Sequence, residues 1–353
     1  MDESLLRDLT QTPGIASRED AIRDIVAARM QPLVDDLRID TLGNLIGVRK
    51  GKGGPRVAVA AHMDEIGFLV RHIDDKGFIR IQPVGGFDPR VLVAQSVRIH
   101  CRDGESLPGV LQPGTKPIHL LQPGEAKDLK LEDLFIDIGM EPETVKERVH
   151  VGDMVTMHRE FEIMGDTVVS KALDDRLGVY VMLEALRAAT DTDAEVIAVA
   201  TVQEEVGLRG ATTSAFGIEP DIAIALDTTI AADTPGIPDD AAVTRIRQGT
   251  AIKVFDSSQL PNHKLLTHLR EIAEAHDIPH QLEILPRGGT DAGAFQRARD
   301  GIVTGTISIP SRYVHTVNEM VAVSDLQASV DLLAQFLREA GTRDYSYQLP
   351  DSR

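Results

Sequence analysis

Four strand-like runs constrain this chain more than any other feature, because three are largely apolar stretches and all four lead to an acid or a histidine. RVAVAA runs into His62, with Asp64 two residues on; EVIAVATVQ runs into Glu204 and Glu205; DIAIAL runs into Asp227; GIVTGTISIP is followed by His315. A strand with one wet face alternates apolar and polar residues. A continuous apolar run fits a strand covered on both faces, as in a parallel sheet between helices. In open α/β sheets, ligands gather in the crevice beyond the carboxyl ends of the strands. Four strand ends are therefore expected to meet at one place.

The adjacent acids Glu204 and Glu205 repel each other, and moving a carboxylate out of water costs several kcal/mol unless it is paired or bound to a metal. KALDDRLG adds Asp174 and Asp175 at the start of a helix, a position that tolerates negative charge. Each feature has a plain explanation: a solvated pair, an N-cap, a turn, a hydrogen-bonded structural histidine. Together, two histidines and several carboxylates without a thiolate form a ligand set suited to Zn²⁺, Co²⁺ or Mn²⁺.

The remaining sequence supplies the frame. Leu5, Leu6 and Leu9 mark an opening helix, and Ser17 with Asp20 predicts the N-cap of a second. LRID and NLIGVR are further short strand patterns, and QLEILP is a further short run. DRLGVYVMLEALRAA sets Leu177, Val181 and Ala185 on one helical face, HKLLTHLREIAEAH is a second such pattern, and a final helix is expected from Ser324. Between about Gly67 and Glu162 the texture changes to short runs such as FIRIQPV, QSVRIHC and DMVTMH, broken by Gly, Pro and Asp, which predicts a small β-rich domain. The expected organisation is a discontinuous α/β domain over residues 1–66 and 163–353, interrupted by a β-rich insertion over 67–162.

Length and composition exclude several classes. A chain of 353 residues with 42% hydrophobic and 26% charged residues is long enough for about two domains and a substantial core. Its formal charge of -18 repels a phosphate backbone, so nucleic acid is not an expected partner. Cys101, the one cysteine, rules out an internal disulfide and reads as a small core residue. The amino-terminal MDESLLRDLT has no apolar signal core and no run reaches the roughly 20 residues of a membrane span, so a cytoplasmic location is expected.

The stretches AHMDEIGFLV, SKALDDRLG, TVQEEVGLRGA, ALDTTIAADTPG, RGGTDAGAF and IPSRYVHT occur in this order. The series resembles the motifs of the tetrahedral aminopeptidases, the glutamyl and deblocking aminopeptidases with two metal ions. The resemblance implies a zinc-peptidase-like α/β/α sandwich with a mixed, mainly parallel central sheet and an inserted PDZ-like or β-barrel domain. Carried over, it implies that His62 and Asp227 hold one divalent ion, Glu205 and His315 the other, and Asp174 bridges them. Asp64 would orient His62 through its other ring nitrogen, and Glu204 would be the general base. Successive side chains at a strand end diverge, so the two glutamates can serve different tasks. The resemblance further implies peptide substrates and an insertion that mediates assembly, with dimers building a hollow dodecamer that admits only unfolded peptides.

Other residues are less sharply defined. Arg287, Gly288, Gly289, Thr290 and Asp291, within RGGTDAGAF, are expected to shape the substrate pocket, or else to form a glycine-rich turn opening a helix. Arg312 and Tyr313 precede His315 closely enough to line the site or to pack behind it. Asp175 could steer Asp174, and His119 reads as a solvated loop histidine. The rival functions are a related dinuclear amide hydrolase, carboxypeptidase-like or a deacylase, and a metal-binding assembly protein without turnover. A two-carboxylate glycosidase fits poorly, because the acids are accounted for as metal ligands.

Overall fold

The computed structural model describes residues 1–116, 118–120, 122, 128–347 and 349. The first strands, β1 (Asp36–Ile39), β2 (Leu45–Arg49) and β3 (Arg56–His62), enter a large mixed sheet. The chain then leaves it for β4 (Gly67–Ile73), β5 (Ile79–Val84), β6 (Ser96–His100), β7 (Ser106–Pro113), β8 (Leu134–Asp137) and β9 (Met154–Met157). These six close an antiparallel barrel in the order β4-β5-β8-β7-β6-β9. Of the two forms open to the β-rich insertion, the barrel is the one observed. Closure leaves its strands without a free edge. Inside it, Phe68, Ile79, Ile99, Leu111, Ile136 and Val155 form a core of their own.

The sheet resumes with β10 (Glu162–Met164), β11 (Thr167–Ser170), β12 (Glu195–Thr201), β13 (Ile222–Ile230), β14 (Thr250–Phe255), β15 (His280–Ile284), β16 (Val303–Arg312) and β17 (Glu319–Ala322), making 11 strands. Its centre runs β12-β3-β13-β16 and is parallel throughout; antiparallel strands flank it. Side chains alternate across it with the period of a strand. Val57, Val59 and Ala61 of β3 face a cluster containing Leu177, Val181 and Leu333, from helices Leu173–Ala188 and Val323–Glu339. Ala58 and Ala60 face the other way, against Ala211, Ala215 and Phe295, from helices Arg209–Ile218 and Asp291–Gln296. The result is an α/β/α sandwich. Burying each Val or Leu stabilises it by about 1.5–3 kcal/mol, which is why these runs carry almost no polar residue.

The second helix begins later than its sequence predicts, at Asp20. Ser17 is not its cap. It takes a left-handed conformation (φ 69) and its amide donates to Glu19 Oε1 at 2.9 Å. Just upstream, Ile15 bridges to Glu65, which ties this turn to the chain beyond β3 and delays the helix. Beneath it, the fully buried Arg176 donates to the carbonyls of Leu9, Thr12 and Gly14. Among the described residues, no helix is long and apolar enough to cross a membrane.

Candidate metal centre

Parallel register sets the site. Thr201 of β12 lies beside His62 of β3, so the chain leaving β12 delivers Glu204 and Glu205 next to that histidine. Asp227 sits within β13, on the far side of β3 from β12. Asp174 enters from the first turn of helix Leu173–Ala188, where the Asp174–Asp175 peptide is cis. His315 follows the end of β16.

His62 Nε2 is 3.3 Å from Asp174 Oδ1 and 4.0 Å from both Asp227 Oδ1 and Glu204 Oε2. His315 Nε2 is 3.3 Å from Asp174 Oδ2 and 3.4 Å from Glu205 Oε1. Two triads emerge, His62–Asp174–Asp227 and Asp174–Glu205–His315, each with ligand atoms within 4.8 Å of one another. One carboxylate oxygen of Asp174 faces each triad. Asp64 is buried nearby, but its carboxylate accepts the amides of Glu204 and Glu205, at 2.9 and 3.2 Å. The contact to His62 Nδ1 at 3.0 Å comes from the Asp64 main-chain carbonyl, with Oδ1 at 3.6 Å. Nδ1–H donating to that carbonyl leaves the Nε2 lone pair free for a cation.

Electrostatics express the crowding. Burial alone would discharge His62, yet Asp174 and Asp64 outweigh it and raise its pKa well above the ordinary value. His315 is likewise opposed by burial but pushed up to about 12 by Asp174 and Glu205. Burial raises Asp227 well above the carboxylate range, and Asp174 adds to it. Burial also raises Glu204, with His62 opposing and Asp227 reinforcing. Asp174 itself is lowered: burial opposes, but both histidines hold it ionised. Cations compete with protons for the same lone pairs.

The residues fit divalent ions on their own geometry. Glu205 Oε1 is buried without a hydrogen-bond partner, as is Asp175 Oδ2, and an unmet buried oxygen is costly unless something binds it. The other Asp175 oxygen accepts the Gly178 amide at 3.0 Å. Imidazole and carboxylate donors without thiolate match Zn²⁺, Co²⁺ or Mn²⁺.

Above the triads opens a cavity of about 630 Å³, with Arg287, Gly288, Gly289 and Tyr313 in its wall. The other three proposed pocket residues lie outside that wall. Thr290 is buried before helix Asp291–Gln296. Asp291 accepts from Thr201 Oγ1 at 2.5 Å, and burial pushes its carboxyl up to about 6 against that bond. The Arg312 guanidinium is committed to Asp233 at 2.7 and 2.8 Å. His119 is exposed in a short 3-10 turn. Two contacts to the site were not legible in the sequence. Gly86, in the loop after β5 of the barrel, offers its carbonyl to His315 Nδ1 at 2.9 Å. Glu319 accepts the amides of His315 and Asp174 at 2.8 and 3.0 Å. Neither sits in an apolar or acidic pattern that marks it.

A model of the M42 glutamyl aminopeptidase family matches residues 43–332, most of the chain. The chain belongs to the M42 glutamyl aminopeptidase family. Among solved structures, an aminopeptidase from the archaeon Desulfurococcus kamchatkensis superposes with a TM-score of 0.91 at 43% identity, covering 95% of this chain and 94% of that one. The TET1 peptidase of Pyrococcus horikoshii, described as assembling into a tetrahedron or a large octahedral shell, gives 0.85 at 34% identity, covering 95% and 99%. The lysyl aminopeptidase of Pyrococcus furiosus is 35% identical over 357 residues, 98% of this chain and 99% of its own length.

Proposed function

We propose that this protein is a dinuclear metallo-aminopeptidase that removes residues from the free amino termini of peptides. The observation that carries the reading is the pair of buried triads sharing Asp174, with Glu204 beside them in the cavity and assigned to neither. His62, Asp174 and Asp227 would hold one ion, and Asp174, Glu205 and His315 the other, zinc or cobalt first and manganese third. When bound, such a pair lowers the pKa of water and polarises the scissile carbonyl. Glu204 accepts the proton of the attacking water and passes it to the departing amine. Asp64 keeps Glu204 and Glu205 in place through their amides and sets the His62 tautomer through its own carbonyl. The cavity walls exclude water and receive the terminal side chain.

The remaining parts follow the family. The barrel segment, 67–162, serves assembly, and the assembly is a dodecamer built from dimers, working in the cytoplasm on unfolded peptides; the tetrahedron or octahedral shell that the P. horikoshii relative can form, and a solved PhTET1 dodecamer, support the assembly. The test is Glu204→Gln: bound metal is retained while kcat falls by about 10²–10⁴, read by elemental analysis and by hydrolysis of aminoacyl amides. Asp174→Ala and His315→Ala lose metal. Wild-type turnover in Glu204→Gln rejects the base assignment, and preference for N-blocked or acylated substrates favours the rival amide hydrolase.

A further inference from the structure

Glu319 opens β17, the strand lying between β11 and β16. On one side it pairs with Ser170, the last residue of β11, from which the chain runs on to Asp174. On the other, Met320 pairs with Arg312, the last residue of β16, from which it runs on to His315. Both ligand-bearing segments therefore leave the sheet beside this one carboxylate, which is 2% exposed. Each passes through left-handed residues, Ala172 (φ 54) before Asp174 and Tyr313 (φ 60) and His315 itself (φ 63), conformations that cost about 1–3 kcal/mol each and persist only when the surroundings hold them. Asp174 stands at the head of its helix with non-helical dihedrals (φ -77, ψ 110), so no helical turn accepts its amide. Glu319 Oε2 takes it at 3.0 Å, and Oε1 takes the His315 amide at 2.8 Å.

We propose that Glu319 is a positioning residue: by holding the main chains of Asp174 and His315 on its two oxygens, it fixes the Asp174–Glu205–His315 triad in register with the first. The inference rests on the two-metal reading above. A carboxylate can accept both amides, whereas a glutamine can accept only one and turns an NH₂ toward the other. Aspartate, one methylene shorter, does not reach both amides from the same backbone position. Loss of either bond frees one bridging or terminal ligand while leaving His62 and Asp227 where β3 and β13 put them.

The experiment is calorimetric titration of zinc into chelator-stripped full-length wild type, Glu319→Gln and Glu319→Asp, with cobalt absorption spectra as a second readout. Wild type should take up two ions. Both variants should show a changed cobalt spectrum and bind one ion at least about 10-fold more weakly, the usual cost of removing a group that orients a ligand, and the other, held also by His62 and Asp227, with a smaller loss. If Glu319→Gln does not fold, Glu319→Asp carries the test. Variants that bind both ions with wild-type affinity and an unchanged spectrum, even at reduced thermal stability, overturn the proposal. Wild type that takes up one ion overturns the two-triad reading itself, a distinguishable result.

Discussion

At the scale of single residues, the site is a set of buried charges that stabilise the fold only when neutralised. Burial pushes the Asp291 carboxyl up to about 6 against its bond from Thr201, so it holds a proton in the folded state at pH values where the unfolded chain has lost it. Its contribution is complete below the unfolded value, near 4, and is lost as pH rises through about 6. His62 and His315, also raised, act in the same direction. The metal-free protein should therefore melt at a higher temperature at pH 6 than at pH 8.5, in calorimetry with chelator. Added zinc should shrink or reverse the difference, because ligation requires the deprotonated forms. Away from the metals, Arg176→Met leaves Glu65, 3.8 Å from the guanidinium, and the Leu9, Thr12 and Gly14 carbonyls without this cation. Removing one partner of such a buried network costs about 3–5 kcal/mol, readable in urea unfolding, although Lys171 at 2.7 Å still pairs with Glu65.

At the scale of elements, the turn between β12 and helix Arg209–Ile218 delivers both glutamates and leaves no slack. A Cβ on Gly210 would lie 2.3 Å from the Val202 carbonyl and 2.3 Å from Asn44 Oδ1. The first is backbone, and Asn44 is held by Asp40, by the Gly210 carbonyl and by the Val202 amide. Gly210→Ala should destabilise by about 1–3 kcal/mol through overpacking and lower kcat, since Glu204 and Glu205 ride on this turn; unfolding curves and kinetics on one preparation check both. This helix was not legible beforehand: ATTSAF is short, rich in β-branched and small residues, and opens after the left-handed Leu208. β14 and β17 were also missed. β14 carries a fully buried Lys253, which breaks the apolar pattern and is matched by Glu283, from the neighbouring strand, at 2.5 Å and by Asp256 at 3.8 Å. β17 is four residues long. Helix Leu173–Ala188 and the four central strands were legible because each is long and covered, so its periodicity is undiluted.

At the scale of the whole molecule, among the described residues the loop after β5 carries the barrel to the candidate metal centre: the Gly86 carbonyl meets the His315 ring, and Gly85 (φ 93) packs where a side chain would strike Ile66. Metal should report on folding as a linkage effect. Zinc at about 100 times its dissociation constant adds about 2.7 kcal/mol per site when only the folded state binds it. His315→Ala, lacking one triad's histidine, should retain about half of the wild-type rise in melting temperature on adding zinc. An equal rise in the two proteins would contradict separate sites. Native mass measurement with metal present should find species well above the 38.4 kDa of one chain, and a monomer alone would contradict assembly.

The sequence by itself determined the layered α/β architecture, the β-rich character of the insertion and the strand ends where acids and histidines gather, because continuous apolar runs and strand-end chemistry are local signals. Only the tertiary structure decided which oxygen faces which ring, that Asp64 serves two amides, that Arg312 is spent on Asp233, and that Glu319 and Gly86 reach the site. Those are meetings between segments distant in the chain, or orientations set by the turns that join them. No local pattern records a contact whose partner is chosen by the packing of everything between.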